Sequence, residues 1–98
     1  MKPSQTQEYN AAFFNALSHK RRQMLCDILL ELGPNGISYG ALLHKSGLKK
    51  ASLSHHLEFM NRGGILRRQQ KGRETRISIN TVFLRNMAFD FGNAAIRA

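Results

Sequence analysis

Residues 38–64, SYGALLHKSGLKKASLSHHLEFMNRGG, contain two helix signals separated by a tight turn. Ser38 is a good N-cap for a short first helix, which ends at Ser46-Gly47 because glycine suits the left-handed position after a helix. A second helix starts near Lys49 and ends at Gly63-Gly64. Apolar residues recur at helical spacing in both segments: Tyr39, Leu42 and Leu43 in the first, and Leu53, Leu57 and Met60 in the second. This pattern predicts a helix-turn-helix.

The next stretch, residues 65–79 with the sequence ILRRQQKGRETRISI, changes from helical to extended periodicity. It begins with Ile65-Leu66, and Lys71-Gly72-Arg73-Glu74 is typical of a tight turn. The residues after the turn alternate as they do in a half-buried strand, with Thr75, Ile77 and Ile79 on one face and Arg76 and Ser78 on the other. The stretch therefore predicts a β-hairpin with Gly72 at its tip.

Further helices are predicted on both sides of this region. Helix one covers roughly residues 8–18, and helix two covers about 19–32, with Ser18 as its N-cap and Gly33-Pro34 as its stop signal. Asn80 or Thr81 caps a last helix. The apolar rows are Tyr9, Phe13, Ala16 and Leu17 in helix one, Met24, Leu25, Ile28, Leu29 and Leu32 in helix two, and Phe83, Met87 and Phe91 in the last helix. The predicted order is four helices, a hairpin and a fifth helix.

The length of the chain fits one domain. Its 98 residues are too few for a second core, and 42% hydrophobic with 21% charged residues is a globular composition. Residues 1–8 are polar and include Pro3, so they are predicted to be a disordered N-terminal segment before a domain that spans residues 9–96. A domain this small gains stability by burying an apolar face in a partner subunit, which makes dimerisation a reasonable expectation.

Several protein classes do not fit the composition. No apolar run reaches the roughly 18 residues of a membrane span, and the N-terminus lacks the apolar stretch of a signal peptide, so a cytoplasmic protein is expected. The single cysteine, Cys26, cannot form an internal disulfide and is interpreted as a small buried hydrophobic residue. Neither a catalytic triad or dyad nor a phosphate-binding glycine loop is recognisable, so the chain is not expected to be an enzyme.

The positive charge is concentrated in one third of the chain. The protein carries a formal net charge of +9, and nine basic and two acidic residues between Lys45 and Arg76 contribute +7 of it. A basic surface suits a polyanion, and here it coincides with the helix-turn-helix and the hairpin. Duplex DNA is the favoured partner. A module that binds protein or RNA, and an architectural protein that binds DNA without sequence preference, remain alternatives.

The geometry of B-DNA fits this pattern. Its major groove admits an α-helix whose first turns reach the base edges, and flanking Lys and Arg side chains meet phosphates. A basic hairpin tip reaches an adjacent minor groove or phosphate, which is the role of a wing. The candidate DNA-binding residues are Lys49, Lys50, Ala51, Ser52, Ser54, His55, Arg67, Arg68, Lys71, Arg73 and Arg76.

Four segments resemble, in order and spacing, the winged helix-turn-helix repressors of the ArsR/SmtB family. They are residues 17–25 (LSHKRRQML), residues 48–57 (LKKASLSHHL), Gly63-Gly64-Ile65-Leu66 and Lys71-Gly72-Arg73. The similarity extends from about Phe13 to Met87. It implies a prokaryotic homodimer that binds an inverted-repeat operator and blocks transcription.

The resemblance also implies roles for individual residues. Lys50, Ala51, Ser54 and His55 match family positions that touch the major groove, Arg73 matches the wing contact, and Arg22 matches a characteristic arginine whose role is either functional or structural. The first and last helices build the dimer in this family. The candidate interface residues are Tyr9, Phe13, Phe14, Phe83, Met87 and Phe91.

The chain departs from the family's metal sensors. Residues 37–41 lack the Cys-x-Cys pair, and the last helix offers Asp90 but no His. A soft-metal site needs three or four converging thiolate or imidazole ligands, so neither a metal nor any other cofactor is expected. Cys26 alone excludes a dithiol switch within one subunit. The small-molecule or redox effector stays unknown at this point.

Overall fold

The computed structural model describes residues 4–87, except for the side chains of Thr6 and Tyr9. The elements are α1 (Gln5–Leu17), α2 (Lys20–Leu32), β1 (Ile37–Ser38), α3 (Tyr39–Ser46), α4 (Lys50–Arg62), β2 (Leu66–Lys71), β3 (Glu74–Ile79) and a helical segment over 81–87, named α5. The strands form an antiparallel sheet in the order β1-β3-β2. The predicted fold class, mainly α with a hairpin wing between the fourth and fifth helices, is confirmed.

The sequence analysis missed strand β1. Ile37 pairs with Ile77, and Ser38 pairs with Arg76 on β3. Two residues are too few to show an alternating pattern, and Ser38 carries the stronger signal of a helix N-cap. It does cap α3, because its side chain accepts a hydrogen bond from the Ala41 backbone N–H at 3.2 Å. Ser38 thus ends the strand and begins the helix.

Helix α1 begins earlier than predicted. The Ser4 hydroxyl accepts from the Gln7 backbone N–H at 3.2 Å, and the Gln7 side chain accepts from the Ser4 N–H at 3.0 Å. This capping box satisfies two backbone donors at the helix start, so residues 5–8 are helical. The prediction of disorder over residues 1–8 is therefore wrong for that part. Residues 88–96 of the predicted domain lie outside the described residues.

The N-cap of α2 is His19, one residue later than predicted. Ser18 has helical backbone angles and ends α1, whereas His19 is extended, as an N-cap must be. His19 Nδ1 accepts a hydrogen bond from the Arg21 N–H at 3.1 Å. The prediction of Ser18 as the cap was wrong because residue type alone does not distinguish two adjacent candidates.

The core lies between α2, α4 and the sheet. Its fully buried large side chains come from the predicted stripes and strand positions, and they are Leu25, Leu29, Leu42, Leu53, Leu57, Met60, Ile65 and Ile77. On the side of α2 opposite its apolar row, Cys26 is buried but Leu30 is half-exposed, so the apolar surface of that side is covered only in part.

The hairpin has a two-residue loop. Lys71 pairs with Glu74 across Gly72-Arg73, and Gly72 has a φ of +61°, which glycine adopts without strain. β2 is an edge strand, and all of its residues after Leu66 are exposed. The basic side chains of β2 therefore project from the body of the domain.

Candidate nucleic-acid interface

Helix α4 has one buried face and one polar face. Leu53, Leu57 and Met60 are fully buried and fix the helix against the core. The predicted contact residues Lys50, Ala51, Ser54 and His55 are all exposed, as is Lys49 at the N-cap, while Ser52 is half-buried. The fold therefore brings the predicted α4 residues together on the first turns of one helix.

The hairpin supplies the second part of the interface. Arg67, Arg68, Lys71 and Arg73 are all exposed on β2 and the loop. Glu74 is the acidic residue of the hairpin, and it lies 3.6 Å from Arg76. The positive charge of the other four side chains is therefore little compensated within the hairpin. This arrangement offers a cationic edge next to α4.

Arg76 differs from the other predicted contacts. Its Nε donates to the Asn35 carbonyl and its Nη2 donates to the Gly36 carbonyl, both at 3.1 Å, while Nη1 faces Glu74. All three nitrogens thus have partners within the chain. These bonds give Arg76 a structural role, which is to fix the turn before β1 against β3, and the DNA contact at Arg76 stays a prediction.

A cleft of about 820 Å³ separates α4 from the hairpin. Its lining includes Ser38, Tyr39 and Gly40 at the start of α3, Ser54 and Glu58 on α4, and Arg68 and Arg73 on the hairpin. The Tyr39 hydroxyl lies 2.6 Å from Ser54 Oγ and donates to the Lys50 carbonyl oxygen at 3.3 Å. Sequence reasoning assigned Tyr39 to an apolar stripe and missed this contact, because nothing local links residues 15 positions apart.

Contacts between α2 and α4 set the position of α4. The Arg22 guanidinium stacks over the Phe59 ring at 4.7 Å, and the His19 and His56 rings lie 4.7 Å apart. Arg22 is buried, and its Nε has no hydrogen-bond partner among the residues that the structure describes. The structure thus gives Arg22 a packing contact through which α2 supports α4.

The adjacent histidines of α4 diverge, because neighbouring residues of a helix point in directions about 100° apart. His55 is exposed, and His56 is buried against α2. Burial lowers the pKa of His56, and the positive or ionisable side chains of His19, Arg22, His55 and Arg21 lower it further. Within residues 4–87, His56 Nδ1 finds no hydrogen-bond partner, so a proton there would have nothing to bond to.

We expect acid to weaken the folded state through His56. An unfolded chain protonates this histidine near its ordinary pKa of 6.5, whereas the folded chain resists protonation until a lower pH. The stability contributed by neutral His56 is therefore present above pH 6.5 and is lost as the pH falls toward the lowered pKa. The melting temperature should fall between about pH 7.5 and about pH 5.

The test compares two variants over that pH range. His56→Leu should show a smaller fall in melting temperature than the unsubstituted protein. His44→Gln, at an exposed position on α3, is the matched control and should retain the full fall. An undiminished acid response in His56→Leu would contradict the assignment.

Cys26 is buried in α2. Burial raises the pKa of its thiol to about 11, with a smaller contribution from the charge of Asp27. The thiol is thus protonated at neutral pH, and a protonated thiol is a poor nucleophile and a poor metal ligand. Among the described residues, no group of three or more His, Cys, Asp or Glu side chains is arranged to hold a metal ion. Asp90 lies outside these residues.

The predicted dimer residues have different environments. Phe13 and Met87 are buried within the chain itself, and the Phe13 and Phe83 rings are 5.8 Å apart, so these side chains build the core between α1 and α5. Phe13 and Met87 therefore offer little surface to another subunit, and the assignment of these residues to a dimer interface stays a prediction. Phe14 is 52% exposed. The Tyr9 side chain and Phe91 lie outside the described part of the chain.

None of the helices within residues 4–87 is long and apolar enough to cross a membrane.

Solved structures with the same architecture include several transcriptional regulators. The homodimeric winged helix-turn-helix DNA-binding domain (fragment 1-100) of a possible ArsR-family regulator from Mycobacterium bovis aligns with a TM-score of 0.72 and 19% identity, over 97% of this chain and 90% of that chain. The ArsR family transcriptional regulator RHA00566 gives a TM-score of 0.71 and 21% identity, over 96% and 95%.

A predicted DNA-binding transcriptional regulator from E. coli is 27% identical, with a TM-score of 0.64 over 91% of this chain and 92% of that chain. No protein-family model matches the sequence, and no curated protein matches it either. The similarity is therefore one of architecture at low identity. The chain has the winged helix-turn-helix fold of ArsR-family transcriptional regulators.

Proposed function

We propose that this chain is a homodimeric, sequence-specific DNA-binding repressor of the ArsR type. The observation that carries the proposal is the joint placement of the polar face of α4 and the basic hairpin on one winged helix-turn-helix domain. A protein-docking helix would present apolar anchors, whereas the exposed start of α4 carries amines, a hydroxyl and an imidazole. The regulators that share the fold support a role in transcription.

The proposed contacts fall into two groups. In the first group, Ser54, His55 and Lys50 read base edges in the major groove, with Ala51 and Ser52 beside them; the exposure of the first three side chains supports this assignment. The other cations are positioned for phosphates or a minor groove, and they are Lys49, Arg67, Arg68, Lys71 and Arg73. Arg76 is left out of both groups because its guanidinium is engaged within the chain.

We also propose that two copies associate through α1 and the last helix. Phe14 is 52% exposed and Val82 is 63% exposed, and they lie on α1 and α5, the elements that the proposal assigns to the interface. The Mycobacterium bovis domain of the same fold is homodimeric. A dimer would present two copies of α4, and an operator with dyad symmetry and half-sites about one DNA turn apart matches them. Sedimentation at micromolar concentration measures the oligomeric state.

Selection of bound duplexes from a random-sequence library tests the proposed function. We expect an inverted repeat, because a symmetric dimer presents the same reading helix twice. The double variant Lys50→Ala/His55→Ala should flatten the selected motif, since it removes two base-reading side chains. Arg62→Ala is the matched control at the far end of α4, where the guanidinium pairs with Glu58 at 2.6 Å, and it should select the same motif.

Each other outcome of the selection points to a different class of protein. Enrichment of DNA without any motif would indicate an architectural protein. If no duplex is enriched, duplex DNA is not the partner. This result would favour the alternative that the chain is a module that binds protein or RNA. A clear motif without dyad symmetry would retain sequence-specific binding and reject the dimer.

A further inference from the structure

The contact between Tyr39 and Ser54 joins α3 to the reading face of α4. The Tyr39 hydroxyl has one proton to donate. Two oxygens lie near this hydroxyl: Ser54 Oγ at 2.6 Å and the Lys50 carbonyl oxygen at 3.3 Å. A carbonyl oxygen only accepts hydrogen bonds, so the bond to Lys50 uses the Tyr39 proton. Either hydroxyl can donate the short bond, and where the Tyr39 proton serves Lys50 the donor is Ser54. In that arrangement the Ser54 proton points at Tyr39, and the Ser54 lone pairs remain for a ligand.

We propose that Tyr39 makes Ser54 a hydrogen-bond acceptor, so that Ser54 selects the exocyclic amino group of adenine or cytosine in the major groove. The inference rests on the proposed DNA-binding function and names the chemistry of one contact. Adenine N6 and cytosine N4 are donors in the major groove, whereas guanine O6 and thymine O4 are acceptors. Tyr39 is thus a positioning residue that acts through Ser54.

The surroundings of Ser54 agree with this polarity. Phosphate oxygens are acceptors, and an acceptor-only hydroxyl gains nothing from them. Arg68 and Arg73 line the same cleft and carry the donors that a phosphate needs. Ser54 is exposed on the fifth residue of α4, within the part of a recognition helix that reaches base edges. A backbone phosphate therefore pairs with the arginines, and Ser54 faces a base.

A keto group in place of the amino group has a definite cost. Two acceptors would face each other in an interface that excludes water, unless Ser54 turned its proton outward and gave up its short bond to Tyr39. Removal of the Tyr39 hydroxyl frees the Ser54 proton, and the hydroxyl can then donate to a keto oxygen at little cost. Discrimination between amino and keto bases thus depends on an atom that touches no DNA.

Transition substitutions test this directly. Exchange of A·T for G·C, or of C·G for T·A, replaces an amino group with a keto group at the same place in the major groove. Selection with the unsubstituted protein and with Ser54→Ala identifies the base pair whose preference depends on Ser54. We expect adenine or cytosine there, and a transition should weaken binding by about tenfold.

The variants should differ at that base pair alone. Tyr39→Phe keeps the ring and its packing. In this variant the transition should weaken DNA binding by only about two- to threefold. Ser54→Ala should bind both duplexes within about twofold. Thr75→Val is the matched control, because the Thr75 hydroxyl bonds to Gln70 at 2.8 Å within the hairpin, and it should retain the full tenfold loss. The salt dependence of Tyr39→Phe should be unchanged, since no phosphate contact is removed.

Three results would overturn the inference while leaving sequence-specific binding intact. They are a guanine or thymine at the Ser54-dependent position, a Tyr39→Phe variant that keeps the full loss, and a Ser54→Ala variant that selects the same motif at every position. If the unsubstituted protein selects no motif, the proposed function itself fails and this inference fails with it.

Discussion

A rise in salt from about 50 to about 200 mM is expected to weaken DNA binding by about a thousandfold or more. The exposed cations proposed to lie near phosphates are Lys49, Arg67, Arg68, Lys71 and Arg73, with Lys50 beside them. Each phosphate contact releases counterions from the DNA, and a protein with six to ten contacts loses about 10³ to 10⁵ in affinity over this range. Fluorescence anisotropy with a labelled duplex at several salt concentrations gives the slope.

A pair of arginine variants separates the effect of a phosphate contact from that of overall charge. Arg73→Ala should make the log–log slope less steep by about 0.9 for each phosphate that the arginine neutralises, and it should weaken binding to cognate and random duplexes alike. Arg62→Ala removes the same charge from a guanidinium already paired with Glu58, so its slope should not change. Equal slope changes in both variants would mean that net charge, rather than the hairpin tip, produces the salt dependence.

Gly63→Ala is expected to destabilise the fold by about 1–3 kcal/mol, which lowers the melting temperature of a domain this small by about 4–8 °C per kcal/mol. Gly63 follows α4 and has an ordinary negative φ of −75°, so its backbone tolerates any residue. The surrounding space, however, has no room for a side chain. An added Cβ would lie 2.9 Å from the Ala12 carbonyl oxygen and 2.5 Å from Ala16 Cβ, both on α1. Backbone cannot yield without moving the whole helix.

Gly40→Ala is the matched control. No atom lies within 4 Å of an added Cβ at Gly40, which sits in the first turn of α3. Alanine is the better helix former, so this variant should be neutral or more stable by about 0.5–1 kcal/mol. Thermal unfolding at one protein concentration compares the two, since dimerisation makes the melting temperature depend on concentration. If Gly63→Ala had the same melting temperature as the unsubstituted protein, α1 and α4 would not be tightly packed at this position.

The packing at Gly63 has a consequence for function. It seats α1, which carries the exposed Phe14, directly against the C-terminal end of the recognition helix. A shift of α1 would therefore move the proposed dimer face relative to α4. We expect that Gly63→Ala, where it still folds, loses more affinity for inverted repeats than for single half-sites, because the distance between the two copies of α4 is set through this packing.

Features with short-range causes were predictable from the chain. Apolar periodicity placed α2 and α4, glycine placed the turn at Gly47 and the hairpin tip at Gly72, and the charge pattern marked the basic third of the molecule. The adjacent positions of His55 and His56 on a helix agree with the exposure of one side chain and the burial of the other. Each of these properties depends on residues no more than a few positions apart, so the sequence contains them in readable form.

Other features depend on contacts between residues far apart in the sequence. Arg76 carries the same charge as Arg73, yet it is held by the carbonyls of Asn35 and Gly36, about 40 residues away. Phe13 has the same side chain as Phe14, but Phe13 is buried against α5 whereas Phe14 is half-exposed. Residue type and spacing cannot separate such neighbours, because packing between elements decides which side faces inward.

The polarity of Ser54 is the clearest example of that distinction. Its place on the exposed face of α4 follows from a helical period of 3.6 residues and from the buried leucines on the opposite face. Its hydrogen-bond partner follows from tertiary packing, which brings the Tyr39 hydroxyl on α3 to 2.6 Å from Ser54 Oγ. The direction that we propose for its proton follows from the Lys50 carbonyl, which can only accept. Local periodicity thus selects the residues that face the ligand, and the packing of α3 against α4 sets the hydrogen-bonding character that one of them presents.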